Sequence, residues 1–231
     1  MKNYNFIQQK FFKIYRYKKP QSVGCLKKLW LQNYHIFNQK NQYFHQIWKY
    51  STDTELFSEL IFCILTPQSK AKLCWEATKL LHDRINNITI MNILNSIKHI
   101  RFKNRKAKYI IQAKKFFTLN ETLNVRSQLQ HFYNIYKLRE WLVNNVKGIG
   151  YKEASHFLRN IGLGDNLAIL DRHILKNLKY FNVIDSVPLL ITKNIYFIIE
   201  NKMQSFSRNI KIPMSHLDML FWGIETGIIF K

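Results

Sequence analysis

The sequence predicts an all-α protein of two packed helical lobes with a cleft between them. Apolar residues recur at i, i+3, i+4 and i+7 in one segment after another, as amphipathic helices require. No strand-like alternation of useful length occurs along the 231 residues. Four of the seven glycines (Gly148, Gly150, Gly162 and Gly164) are crowded into Trp141–His173, so the tight turns are gathered in one place. Hydrophobic residues make up 47% of the chain and are spread evenly, enough for a sizeable core.

Residues 1–20 are basic and aromatic and contain no acidic residue. They hold no continuous apolar stretch with a cleavage site, so secretion is not expected. A helix on the core or an extended arm fits them best, and a transit-like sequence stays open. Cys25 to Tyr50 is imperfectly helical, with Leu26, Leu29 and Trp30, then Ile36, Phe37, Phe44 and Trp48. Thr54–Leu65 is a strong helix, with Leu56, Leu60, Ile61 and Ile64 on one face and Thr52 or Asp53 at its start. Pro67 and Gln68 break it, and Ala71–Leu81 begins the next.

Ile88–Ile100 gives a short helix. Phe102 lies in a connection before Asn104, which is placed to cap a basic helix from Arg105 to Phe117. Ala107, Ile110, Ile111 and Phe117 form its apolar face, with Lys106, Lys108, Lys114 and Lys115 around them as a solvated surface. Leu138, Trp141, Leu142 and Val146 lead into Lys147-Gly148-Ile149-Gly150; Ala154, Phe157, Leu158 and Ile161 follow. These are two helices joined by a glycine turn, a hairpin over about residues 137–161.

Asp171 stands where the helix carrying Ile174, Leu175 and Leu178 needs an N-cap. Pro188 marks a loop and Leu189–Met203 a helix. In the last helix, Ser215–Gly223, Ser215 and Asp218 have capping-box spacing, and Leu217, Leu220, Phe221 and Ile224 form the buried stripe. Asp218 and Trp222 are i, i+4 partners on the opposite face. An apolar end, Ile228-Ile229-Phe230, should dock and carry Lys231 with it. Residues 1–60 with 172–231 are expected to form one lobe and residues 61–171 the other.

Lys and Arg number 36 against 14 Asp and Glu, a net charge of +22. That balance favours a polyanionic partner, nucleic acid first and an anionic membrane second. Lys, Asn, Ile, Phe and Tyr are all plentiful, as under AT-rich coding bias, so part of the charge is compositional. Three scattered cysteines argue against a disulfide framework and for a reducing compartment. Without an H-E-x-x-H or paired C-x-x-C motif, a catalytic transition metal is not expected. No apolar run approaches the ~20 residues that span a bilayer.

The chemistry is concentrated at the hairpin. The amides opening its second helix form an anion site that suits a phosphate. Lys152 stands two residues past Gly150, roughly opposite the apolar stripe. A cation is locally unfavourable at that end of a helix, and an amine must be neutral to act as a nucleophile. Asp171 follows nineteen residues later as a fixed carboxylate. On residue types alone, a surface lysine and an ordinary N-cap explain the same pair. Trp222 fits either packing under a neighbouring helix or stacking on an aromatic ligand.

The order KGIGYK, a glycine-containing turn, then LDRH resembles the helix-hairpin-helix and Gly/Pro-rich loop of the HhH-GPD DNA glycosylases. KGIGYKEASHFLRN is especially similar to the type-2 8-oxoguanine DNA glycosylase/AP lyases of archaea and some bacteria. The resemblance implies the two-lobed HhH-GPD fold, with the hairpin at the inter-lobe cleft. It implies excision of 8-oxoguanine from double-stranded DNA through a lysine Schiff base, with strand nicking. It makes Lys152 the nucleophile and Asp171 its assistant. Phe102, Asp218, Trp222 and Lys231 would hold the damaged base. Lys147, Gly148, Gly150 and Arg172 would grip phosphates. Gln68 would enter the minor groove, although a solvated turn glutamine reads the same way. No cofactor is implied, and no iron–sulfur cluster, since the cysteines for one are missing after Asp171; a structural monovalent cation at the hairpin is usual in the family. A cytoplasmic, nucleoid-associated monomer is expected. An HhH-GPD enzyme for another lesion, and a hairpin module that only binds DNA, are the alternatives.

Overall fold

The computed structural model describes residues 12–13 and 19–229. Twelve α-helices account for most of the described residues: α1 (Val23–Gln32), α2 (Tyr34–Tyr50), α3 (Asp53–Leu65), α4 (Ala71–His82), α5 (Ile90–Ser96), α6 (Lys103–Phe117), α7 (Val125–Gln130), α8 (Ile135–Asn145), α9 (Tyr151–Asn160), α10 (Arg172–Tyr180), α11 (Lys193–Ile210) and α12 (Met214–Thr226). Four two-residue strands complete it. β1 (Phe12–Lys13) pairs antiparallel with β4 (Ile228–Ile229), and β2 (Thr118–Leu119) pairs with β3 (Thr122–Leu123).

The centre of the molecule is α3. Thr52 and Glu55 form a reciprocal capping box at its start. Every residue from Leu56 to Leu65 is buried, although the apolar spacing points to one buried face. A helix that is apolar almost all round is surrounded, and α3 packs on α4, α6, α7 and α9. Each large apolar side chain buried there contributes about 1.5–3 kcal/mol. Its one acidic core residue, Glu59, accepts from Asn160 Nδ2 of α9 at 3.1 Å. In the other half, α12 packs on α2, α10 and α11, and α9 meets α2.

The hairpin is α8 and α9, and Gly148 makes its turn. Gly148 has φ +89°, and an added Cβ would lie 2.2 Å from the Tyr109 ring. At Gly150, by contrast, an added Cβ would meet only Glu153 Oε2, at 3.5 Å. Beyond α9, Gly162 has φ +77° and approaches the Phe44 carbonyl of α2 so closely that a Cβ would sit at 2.5 Å. Bulky residues are excluded by backbone angle and space together at both positions.

A buried ion pair fixes the hairpin to its surroundings. Arg139 of α8 donates to both carboxylate oxygens of Glu200 on α11, at 2.6 and 2.7 Å, and to Ser155 Oγ of α9 at 3.0 Å. Glu200 also accepts the Ala168 backbone N–H at 2.8 Å, and Tyr196 donates to the Ala168 carbonyl at 2.6 Å. The loop that leads to Asp171 is therefore tied to both hairpin helices.

Several elements start elsewhere than the spacing predicts. The basic helix begins at Lys103 after Phe102, whose φ is +58°, so Asn104 is not its cap. Lys106 is buried, not solvated. The α11 helix starts at Lys193 with Thr192 as cap, leaving Leu189 and Leu190 in an exposed loop. Pro213, not Ser215, precedes α12, and Ser215 and Asp218 lie inside the helix, both buried. The Cys25–Tyr50 segment is two helices broken at Asn33. The Thr118–Leu123 hairpin and α7 have no counterpart in the sequence reading.

Candidate active site

A cavity of about 750 Å³ opens where three helices and one turn converge. The turn after α3 (Thr66 to Ala71) forms one wall, and the first turn of α9 another. The start of α10 and the middle of α12 (Asp218, Met219 and Trp222) close the remainder, together with Ile229 of β4. Gln68, Lys152, Asp171, Arg172, Asp218 and Trp222 all line it. Gln68 and Trp222, 154 positions apart in the chain, thus share one chamber.

Lys152 reaches the cavity because α9 is buried from Ala154 onwards and only its first turn is open. Its side chain is 24% exposed, and Nζ lies 3.7 Å from Glu153 Oε1. The other oxygen of Glu153 accepts the Gly150 N–H at 3.1 Å. One carboxylate thus ties the lysine to the hairpin turn. It also satisfies one of the amides in the expected anion site, so Gly150 is partly used by the protein itself.

Asp171 is the N-cap of α10. Its Oδ1 accepts from the backbone N–H of His173 at 2.8 Å and of Ile174 at 2.9 Å. Both bonds fall on one oxygen, so Oδ2 takes no part in the cap. The carboxylate is held in a fixed direction on the cavity wall.

Asp218 is buried on α12, with Arg159 Nη2 of α9 at 3.6 Å. Burial pushes its pKa up to about 6; Arg159 and Lys152 oppose that, and Asp171 adds to it. Arg159 is itself buried, with its guanidinium 4.8 Å from the Phe44 ring centre. One turn along α12, Trp222 meets His173 edge to face at 5.0 Å. The Trp222 Nε1–H is buried and has no hydrogen-bond partner among the described residues.

A model of one protein family, described as 8-oxoguanine DNA glycosylase, matches residues 37–212. The chain belongs to the 8-oxoguanine DNA glycosylase family. An 8-oxoguanine DNA glycosylase/AP lyase of Fusobacterium nucleatum is 39% identical over 216 residues, covering 93% of this chain and all of that one. The enzyme of the same description from Methanocaldococcus jannaschii is 37% identical over 185 residues, 79% of this chain and 86% of its own. A crystal structure of the M. jannaschii glycosylase/lyase with 15mer DNA containing 8-oxoguanine superimposes with a TM-score of 0.82 at 33% identity. The match covers 90% of this chain and 99% of that one. The Thermotoga maritima 8-oxoguanine DNA glycosylase gives 0.80 at 26% identity, over 90% and 98%.

Not every residue expected at the site of a type-2 glycosylase lines this cavity. Phe102 stands outside it, 53% exposed and in a left-handed backbone conformation; its neighbour Arg101 is on the wall. Lys147 and Gly148 are exposed on the hairpin, away from the chamber. Lys231 lies outside the described residues. Sequence reasoning missed Arg101, Glu153, His156, Arg159 and His173, which all line the cavity. Glu153 carries a readable signal as an acidic residue at the third position of a helix. Arg159 and His156 carry none, because charged residues on a buried face read as interruptions of an apolar stripe. Among the described residues no group of three or more His, Cys, Asp or Glu could hold a metal ion.

Proposed function

We infer that the protein is a base-excision repair enzyme, a bifunctional glycosylase and β-lyase that removes 8-oxoguanine from DNA and nicks the strand. The observation that carries the residue assignment is the convergence of Lys152 and Asp171 with Asp218 and Trp222 on one cavity wall system. A nucleotide must leave the duplex to reach such a chamber, at a cost of about a few kcal/mol. Lys152, as the free amine, attacks C1′ of the sugar while the N-glycosidic bond breaks and the base departs with the bonding electrons. The secondary amine opens the sugar to a protonated Schiff base. Loss of a C2′ proton then expels the 3′ phosphate by β-elimination. Asp171 Oδ2 stabilises the positive charge that develops on the sugar.

Oxidation converts N7 of guanine from an acceptor to an N–H donor. The Asp218 carboxylate is the acceptor for that proton, Trp222 is a stacking face, and Lys231 completes the base contacts. Phe102, exposed beside Arg101, stacks on the base from the rim. The hairpin residues Lys147, Gly148 and Gly150, with Arg172, hold the phosphates without reading sequence. Gln68, exposed at the tip of the turn, enters the minor groove. The hairpin carbonyls at Lys147 and Gly148 are where a monovalent cation would sit; it would position the backbone and take no part in bond making.

The partner is double-stranded DNA carrying oxidised guanine, met by a monomer in the cytoplasm at the nucleoid. No helix among the described residues is long and apolar enough to cross a membrane.

The test is incubation with duplexes that each carry one lesion, with and without borohydride. Excision and nicking at 8-oxoguanine, with covalent trapping under borohydride, are expected. Binding without excision at any lesion would reduce the protein to a DNA-holding module, and excision of alkylated purines alone would reassign its substrate.

A further inference from the structure

The surface lysines of α6 include one that is not at the surface. Lys106 is only 4% exposed, and its Nζ donates to the Leu65 carbonyl at 2.7 Å, the Pro67 carbonyl at 2.7 Å and Ser69 Oγ at 3.1 Å. These acceptors span the end of α3 and the turn that follows it. Three acceptors match the three N–H groups of an ammonium, whereas a neutral amine offers only two. The Leu65 carbonyl also lies at the negative end of α3, which favours a cation there.

The turn held in this way is strained. The Ser69 N–H closes it on the Thr66 carbonyl at 3.0 Å, with Pro67 and Gln68 between them. Gln68 has φ +54°, a conformation that glycine adopts freely and other residues adopt at a cost. A non-glycine in this region persists where the surroundings impose it, and such strain gathers at functional sites. Gln68 is exposed at the tip and also lines the cavity.

We propose that Lys106 is a positioning residue: its buried ammonium clamps the Pro67–Ser69 turn so that Gln68 is presented rigidly to the DNA beside the cavity. The proposal rests on the reading of this turn as the DNA-entering element. Burial lowers the pKa of the amine from the usual lysine value, while Cys74 and Glu153 oppose that. With solvent excluded, the groups that compensate the ammonium are the Leu65 and Pro67 carbonyls and Ser69 Oγ.

The test compares Lys106→Met, Gln68→Ala and the double variant in single-turnover excision. The substrate is a duplex with one 8-oxoguanine beside a 2-aminopurine, whose fluorescence reports unstacking. Each single variant should lower both excision and the fluorescence change about tenfold, as misplacement of an aligned group does. Affinity of the Lys106→Met variant for undamaged duplex should stay unchanged. The double variant should be no worse than Gln68→Ala, because Lys106 acts through Gln68. Multiplying losses, a normal Gln68→Ala enzyme or a folded Lys106→Met enzyme with wild-type excision each overturn the proposal. Should Lys106→Met fail to fold, Ser69→Ala removes a single acceptor and is judged in the same cycle. A wild-type protein that neither excises nor traps would instead overturn the functional reading, and the clamp with it.

Discussion

Among the described residues Lys152 makes one ion pair, with Glu153 at 3.7 Å, and its side chain is 24% exposed. Replacing it with glutamine keeps a polar side chain, one atom shorter, and removes the proposed nucleophile. Lys152→Gln should therefore abolish borohydride trapping while undamaged duplex is still bound. Wild-type trapping by that variant would end the assignment. Asp171 caps α10 through Oδ1, and the proposed mechanism gives a second duty to Oδ2, which takes no part in the cap. Asparagine caps nearly as well, so Asp171→Asn should melt close to wild type yet excise far more slowly. If excision stays within about threefold, the residue is a cap only. For Asp218 the raised pKa of about 6 sets the sign of a pH effect. The protonated acid is a poor acceptor for the N7–H of the lesion, and the carboxylate that forms as pH rises through about 6 is a good one. Single-turnover excision should climb through that region, and Asp218→Asn should lack the climb. The same shift makes Asp218 weaken the fold as pH rises, from its unfolded value near 4 up to about 6, because burial disfavours the charged form. A melting curve at each pH separates the two effects. A flat wild-type excision profile from about pH 5 to 7 would remove Asp218 from base recognition.

At the scale of the element, the hairpin and the N-cap were legible because each has a local cause. Glycines at Gly148 and Gly162 mark positive φ, and Asp171 precedes an apolar-periodic run. Chemistry that depends on neighbours distant in sequence was not legible. Lys106 reads as a solvated lysine until the end of α3 is placed beneath it, and Arg159 reads as a flaw in an apolar stripe until α12 brings Asp218 to it. The start of α11 was misplaced because Leu189 and Leu190 continue a helical pattern, whereas Thr192 supplies the cap. Arg139 and Glu200 show the same limit, since their pairing joins α8 to α11 across 61 positions. Arg139 is fully buried, so Arg139→Met leaves Glu200 with a desolvated charge. The expected loss is about 3–5 kcal/mol in chemical denaturation. The loop from Ala168 to Asp171 should loosen with it, visible as faster amide exchange there. A change below about 1 kcal/mol would show that the pair is solvated or replaceable in the folded protein.

At the scale of the molecule, two properties act on DNA in different ways. A net charge of +22 attracts phosphate everywhere, and that attraction falls with salt in proportion to the phosphates neutralised. The cavity acts once, on one extruded nucleotide. β1 and β4 pair beside it, Phe12 with Ile229 and Lys13 with Ile228, and Ile229 lines the chamber two positions before Lys231 in the sequence. Deleting Lys231 separates the two properties. One charge among 36 basic residues is a small loss to a sum over many phosphate contacts. A hydrogen bond left unmade in a desolvated pocket costs about 1–3 kcal/mol, on the order of ten- to a hundredfold in rate. Excision should therefore fall by that factor at unchanged affinity for undamaged duplex and unchanged salt slope. Equal losses in excision and in undamaged-duplex affinity would make Lys231 part of the general basic surface. No loss in either would mean that the chain end does not reach the base, and that the pocket is completed by Asp218 and Trp222 without it.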